Sequence, residues 1–181
     1  MEFEMINIEL FFDYACPYCY RGHKNLLNLL EYYPRIEITW RPCESHPYPE
    51  TYFMHSDRAI QGMYYIQEHG GNLWKYHRLV YEACFDKNMD IASTDVLAGL
   101  AKQCGADHNA FKNCIEEDRY REHVLAGNRY AWGENRLDAV PSYRFGKHLL
   151  GSRDGLLVPV RELEDFFRKA AAVHQKDGPI Q

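Results

Sequence analysis

Apolar and polar positions alternate from Ile6 to Phe12, with Ile6, Ile8, Leu10 and Phe12 on one face and Asn7 and Glu9 on the other. A period of two predicts a strand. Asp13, Tyr14 and Ala15 close it. The period then changes: Cys19, His23, Leu26, Leu30 and Tyr33 fall at helical spacing, Leu27 and Leu29 widen the stripe, and Pro34 ends it. Pro17 suits the first helical position, where a missing N–H costs no hydrogen bond. Alternation returns from Ile36 to Trp40 and stops at Arg41 and Pro42. Strand, helix and strand in that order predict a right-handed parallel crossover. Residues 43–52, with Pro47 and Pro49, read as a loop, and Cys43 is expected on the same sheet edge as Cys16.

The middle of the chain carries helical spacing and no strand pattern. Asp57 to His69 reads as a helix stopped by Gly70 and Gly71. A second spans about 72–88, with Tyr76, Leu79, Val80 and Ala83 on one face. Ser93 or Thr94 caps a third, which carries Val96, Leu97, Leu100 and Cys104 and ends at Gly105. Asp107 caps a fourth through Phe111, Cys114 and Ile115; a fifth starts near Arg119 and carries Val124, Ala131 and Trp132. Residues 140–145 and 148–151 then read as antiparallel strands around Gly146 and Lys147. Pro159 opens a last helix with Val160, Leu163, Phe166, Phe167 and Ala170 inward, and His174 to Gln181 reads as a frayed tail. The order is β-α-β, a helical insertion, then β-β-α. This predicts an α/β chain with residues 1–55 and 136–181 in one domain and 56–135 in an all-helical insertion.

Composition narrows the function. A chain of 181 residues buries roughly 70% of its unfolded surface and needs no covalent staples. The net charge of −5 and the lack of a basic run argue against a nucleic-acid partner. Fourteen tyrosines suggest a wide core and an aromatic-lined groove. The acidic opening from Met1 to Glu4 precedes no apolar run, and no stretch is long enough to cross a bilayer, so a cytoplasmic protein without a membrane partner is expected. Six cysteines show no disulfide-scaffold spacing.

The chemistry concentrates in Cys16-Pro17-Tyr18-Cys19, where strand passes into helix. Unpaired N–H groups and the helix dipole favour negative charge at that point. A thiolate at Cys16 is thereby favoured, with a pKa below that of a free thiol. Cys19, one turn further in, is placed to close a disulfide with it. Cys16 therefore attacks and Cys19 resolves. The competing reading is half of a zinc site. It needs at least two more ligands, and Cys43, Cys84, Cys104 and Cys114 supply no second Cys-x-x-Cys. No metal is expected.

Cys16-Pro17-Tyr18-Cys19 after a strand, and Val140-Pro141 before a hairpin and last helix, resemble the thioredoxin superfamily. The helical insertion resembles its DsbA-like branch, and Asp13-x-x-Cys16-Pro17-x-Cys19-Tyr20-x-Gly22 is most similar to the intracellular FrnE-like members. The resemblance spans residues 5 to about 172. It implies a thioredoxin-like fold and thiol–disulfide exchange with protein or small-molecule substrates. Cys16 becomes the nucleophile, Cys19 the resolving thiol, and Pro141 a cis-proline facing Cys16. Val140 offers its backbone to an extended substrate, and Pro17 and Tyr18 join the substrate-binding surface. No cofactor is implied beyond the Cys16–Cys19 pair, with glutathione as a candidate reductant. Ala139, Ser142 and Tyr143 depart from the Gly, Thr and Phe frequent around Val-Pro in that family. Pro-Tyr between the cysteines also occurs in glutaredoxins, so the redox poise is not transferable; dithiol potentials in this fold span about −270 to −120 mV.

Other residues carry two readings each. Asp13 is a turn-forming strand terminator or a carboxylate relaying the Cys19 proton. Arg21 and His23 add positive potential near the thiolate, or are a solvated residue and a packed histidine. Tyr18 and Tyr20 pack or line the groove, and Gly22 permits close helix packing. Cys84, Cys104 and Cys114 read as small buried hydrophobes, whereas Cys43 is a candidate redox relay. Two other classes compete with the oxidoreductase. Kappa-type glutathione transferases and chromene-carboxylate isomerases resemble the same family with Ser in place of the redox cysteine, and a redox or metal-binding adaptor would use the pair as a switch.

Overall fold

The structure, a computed structural model, describes residues 4–154 and 157–176; the end of the expected tail, 177–181, and residues 1–3 lie outside them. The chain forms two compact units. One comprises the chain through Phe12, Tyr18–Arg41 and the chain from Leu137; the other comprises Asp13–Pro17 and Pro42–Arg136.

The first unit is built on a mixed four-stranded sheet, in the order β2-β1-β3-β4. The strands are β1 (Ile6–Phe12), β2 (Ile36–Pro42), β3 (Ser142–Phe145) and β4 (His148–Leu150). In β1 the alternation holds through Ile8 and then gives way to continuous burial from Leu10 to Phe12, as suits a strand covered on both faces. β3 runs antiparallel to β1, with Leu10 opposite Tyr143 and Phe11 opposite Ser142. Glu9 fastens three strands: its carboxylate accepts from Arg41 Nε at 2.7 Å and from Arg144 Nε at 2.6 Å. Gly146, at φ 55°, makes the turn into β4.

Helix α1 (Pro17–Leu30) follows β1 and starts at proline. It buries Cys19, Tyr20, Gly22, His23, Leu26 and Leu29, while Leu27 is exposed and does not widen the apolar stripe as expected. The last helix, Val160–Lys176, packs against β1. Its Leu163, Phe167 and Ala170 are buried, and Phe167 meets Tyr33 edge-on at 5.7 Å.

The second unit holds five α-helices among the described residues: α2 (Asp57–Glu68), α3 (Leu73–Tyr81), α4 (Thr94–Gln103), α5 (His108–Glu116) and α6 (Arg121–Asn128); the helix from Val160 is therefore α7. Side chains begin three of them. Asn72 accepts from Lys75 N, Ser93 from Val96 N and Asp107 from Ala110 N, satisfying N–H groups that the helix cannot. α2 and α3 approach closely at Gly62. A Cβ there would overlap the Tyr76 hydroxyl and come within 2.7 Å of the Phe111 ring. The expected single helix over 72–88 instead changes at Glu82 into a π-helical turn, Glu82–Asp86. Lys87 N bonds Glu82 O at 3.0 Å, and Asn88, at φ 51°, ends the turn. α6 passes likewise into a π turn, Arg129–Glu134. No helix among the described residues is long and apolar enough to cross a membrane.

Candidate active site

Asp13 is the pivot of the turn that leads into α1. Its buried carboxylate accepts from the N–H of Ala15 at 2.9 Å and of Ser45 at 2.7 Å. Its carbonyl accepts from the N–H of Cys16 at 3.2 Å. The first of these bonds is the side-chain turn that aspartate forms two residues ahead; the second ties the segment after β2 to the same carboxylate. Tyr14 fixes the turn from its other side, its hydroxyl lying 2.8 Å from Nδ1 of the fully buried His77 on α3. Burial, then Tyr76, Cys104 and Tyr64, push the Tyr14 phenol well above its usual range. It is a neutral structural hydroxyl. Residues 13–17 thus belong to the helical unit through named bonds.

Cys16, half-buried, stands immediately before the first helical residue, exposed Pro17; Tyr18 is half-buried and Cys19 is buried one turn further on. The first turn of α1 holds no acidic residue, so no side chain there opposes the positive end of the helix dipole.

In the sheet unit, Cys19 has Tyr143 as a neighbour: burial first, and then Cys19, raise the Tyr143 phenol. A Cβ on Gly22 would lie 3.2 Å from Pro141 Cγ and 3.4 Å from the Tyr143 hydroxyl. Gly22 therefore permits the close packing that the sequence suggests. Val140 and Pro141 are buried, joined by a cis peptide bond, and lead directly into β3. With Phe11 opposite Ser142, Pro141 lies beside the C-terminal end of β1. His23 is buried near Trp40, and burial lowers its pKa to about 4. It is neutral at pH 7 and adds no positive potential. The packed-histidine reading holds, and Arg21 is exposed.

The segment after β2 carries residues whose roles the sequence does not announce. Cys43 is fully buried. Glu44 is buried and exchanges two bonds with Asn128: its N–H donates to Oδ1 at 2.7 Å, and its carboxylate accepts from Nδ2 at 2.8 Å. Trp132 Nε1 donates to the Glu44 carbonyl at 2.8 Å. Burial raises the Glu44 carboxyl pKa, Asn128 opposes that, and Asp57 and Asp13 add to it. Beyond it the rings pair: His46 stacks on Tyr52 and Tyr48 on His55, both at 3.7 Å, and Phe53 approaches Tyr52 at 4.7 Å. The concentration of Tyr, His and Pro in residues 46–55 was the available signal for this surface.

Cys84, Cys104 and Cys114 of the helical unit are buried, whereas Cys16 is half-buried. Burial, then Asp13 and Asp90, push the Cys84 thiol up to about 11. Burial also raises Cys104 and Cys114. Among the described residues, no group of three or more His, Cys, Asp or Glu is placed to hold a metal ion.

Comparison with known proteins agrees with this anatomy. Residues 7–152 match the family model described as a DSBA-like thioredoxin domain. The uncharacterized protein YwbO of Bacillus subtilis (strain 168) is 22% identical over 206 residues, covering 94% of this chain and 98% of that protein. DsbA of Chlamydia trachomatis superposes with a TM-score of 0.74 at 17% identity, covering 99% of this chain and 91% of that one. A 2-hydroxychromene-2-carboxylate isomerase superposes with a TM-score of 0.72 at 15% identity, covering 96% of this chain and all of that one.

Proposed function

The chain belongs to the DSBA-like thioredoxin domain family, and from that premise we propose that it is a thiol–disulfide oxidoreductase working through Cys16 and Cys19. One observation carries the reading. A half-buried cysteine stands directly before a proline-initiated helix, with a buried cysteine one turn behind it. The helix start favours the Cys16 thiolate, which attacks one sulfur of a substrate disulfide. A Cys16–substrate bond forms, the substrate S–S bond breaks, and the departing thiolate takes a proton from solvent. Cys19, losing its proton, then attacks the Cys16 sulfur and releases the second substrate thiol. The pair ends oxidised and the substrate disulfide reduced by two electrons; oxidation of a substrate dithiol is the same sequence reversed.

Asp13 takes the turn-forming role in this scheme, since two backbone N–H groups already occupy its carboxylate. The substrate contacts on this reading are those that the family resemblance implies: the backbone of Val140, with Pro141, Pro17 and Tyr18. The pair itself is the redox group, with glutathione as candidate reductant. Similarity to an isomerase shows that the fold hosts other chemistry; two cysteines at these positions favour exchange. A Cys19→Ala variant tests the reading. It should accumulate substrate joined to Cys16 by mixed disulfides that dithiothreitol releases. No adduct with any protein or small disulfide would overturn it.

A further inference from the structure

The loop between β2 and α2 is tied to the Cys16 turn and presents an aromatic surface on the same unit. Asp13 links the two: its carbonyl accepts from Cys16 N–H and its carboxylate from Ser45 N–H. The rings begin one residue later. The His46–Tyr52 and Tyr48–His55 stacks hold one another's orientation, with His55 Nδ1 3.0 Å from the His46 carbonyl and His46 Nδ1 2.7 Å from Glu50 Oε1. Phe53 rests 6.4 Å from Phe85, which the π turn presents beside Cys84. Tyr48 is 64% exposed and Phe53 60% exposed, although Tyr48 stacks on His55 and Phe53 leans at a tilt on Tyr52. The Tyr52 phenol is raised by burial and then by Cys16 and Asp13, which sets this cluster within electrostatic reach of Cys16.

The loop's own sequence is one-sided in charge, although Arg121 lines the same recess as Glu44, Tyr48 and Asp57. No lysine or arginine occurs between Arg41 and Arg58, whereas Glu44, Glu50 and Asp57 do. Ring faces carry negative potential and attract guanidinium or ammonium groups. Neighbouring carboxylates add attraction of the same sign.

We propose that the 46–55 loop is the recognition platform for substrates in which arginine or lysine flanks the reacting cysteine, the cation lying over the exposed ring of Tyr48 or of Phe53. This deepens the exchange reading, on which it rests for its chemistry, and names its substrate class as cationic peptide disulfides. Glutathione, with two carboxylates and one ammonium, stays the candidate reductant but gains nothing from this surface.

The test uses two labelled single-cysteine peptides, each joined to 2-mercaptoethanol by a mixed disulfide and differing only in Arg or Glu beside the cysteine. Second-order rates with the reduced protein are divided by the rates of dithiothreitol with the same peptides, which removes the intrinsic effect of the flanking charge. Serine versions of the peptides give binding by fluorescence anisotropy without exchange. The normalised Arg-over-Glu ratio should be about tenfold or more at low salt and should fall as salt screens the carboxylates. In a Tyr48→Ala, Phe53→Ala variant that ratio should drop at least threefold, whereas Tyr32→Ala, an exposed ring of the sheet unit, should keep it. A ratio near one, or a ratio the double variant leaves intact, overturns the platform. Exchange with neither peptide nor with hydroxyethyl disulfide overturns the oxidoreductase reading instead. The serine peptides then decide the platform alone: preferential binding of the arginine peptide, lost in the double variant, upholds it, and equal binding overturns it.

Discussion

Cys16 and Cys84 lie in the same compact unit, both have Asp13 nearby and carry the same side chain, yet their surroundings differ in backbone and exposure. Cys84 sits buried in a π turn, where low polarity and the carboxylates of Asp13 and Asp90 disfavour a thiolate. Cys16 is half-buried at a helix start with no acid in the first turn, where N–H groups and the dipole favour one. On the proposed reading, reactivity is assigned by backbone geometry and exposure. The number of cysteines in the chain says little about it.

The strongest way to break this contrast is substitution. Cys16→Ser should reduce disulfide exchange on the order of a thousandfold or more, because the attacking sulfur is gone. Cys84→Ala should leave exchange within about twofold and cost about 1 kcal/mol of stability, as for one buried methyl-sized group. Comparable losses of exchange in both variants would erase the contrast.

Alkylation with iodoacetamide sharpens it. With Cys84 near 11 and Cys16 expected below the free-thiol value of about 8.5, the two thiolate populations at neutral pH differ by several hundredfold. Mass spectrometry of briefly labelled native protein should show modification at Cys16 far ahead of Cys84, and denaturant should remove the order. Equal labelling in the native state would refute the helix-start argument.

Stability against pH separates the regions in another way. His23, lowered to about 4 in the sheet unit, binds a proton more readily when unfolded. Its effect is absent above the unfolded value near 6.5 and grows as pH falls toward 4, reaching a destabilisation of about 3 kcal/mol. Glu44, in the helical unit, is raised and acts with the opposite sign: it destabilises as pH rises through its unfolded and then its folded pKa. Urea titrations between pH 4 and 7 should show a His23→Phe variant losing less stability on acidification than the parent, and a Glu44→Gln variant losing more. Parallel curves would contradict both assignments.

The packing contrast is smaller. Gly62→Ala should cost about 1–3 kcal/mol through its overlap with Tyr76 and Phe111. Gly22→Ala, meeting Pro141 at 3.2 Å, should cost less, and thermal melts of the two variants provide the measurement.

Much of this was legible along the chain because it is local. Pro17 marks the helix start, Ser93 and Asp107 mark caps, and the alternation of Ile6 and Ile8 marks the central strand. The π turns were not legible. One extra residue per turn leaves the apolar content unchanged, so the stripe through Tyr76, Leu79, Val80 and Ala83 reads as one helix. The burial of His23 depends on residues brought from β2, such as Trp40. Glu44 finds Asn128 and Trp132 across 84 and 88 positions, distances over which no periodicity extends. The paired rings of residues 46–55 show in composition as aromatics without any indication of stacking.

The Asp13–Ser45 bond has a consequence for how such a protein diversifies. The acceptor is one aspartate, but the donor is a main-chain N–H, which every residue except proline supplies. Residue 45 can drift, and the stretch beyond it can lengthen, shorten or exchange its rings, without unfastening the turn that holds Cys16. On the proposed reading, chemistry and substrate choice are thereby inherited on separate terms: one exposed cassette can be rewritten while the Cys16 sulfur stays where it was.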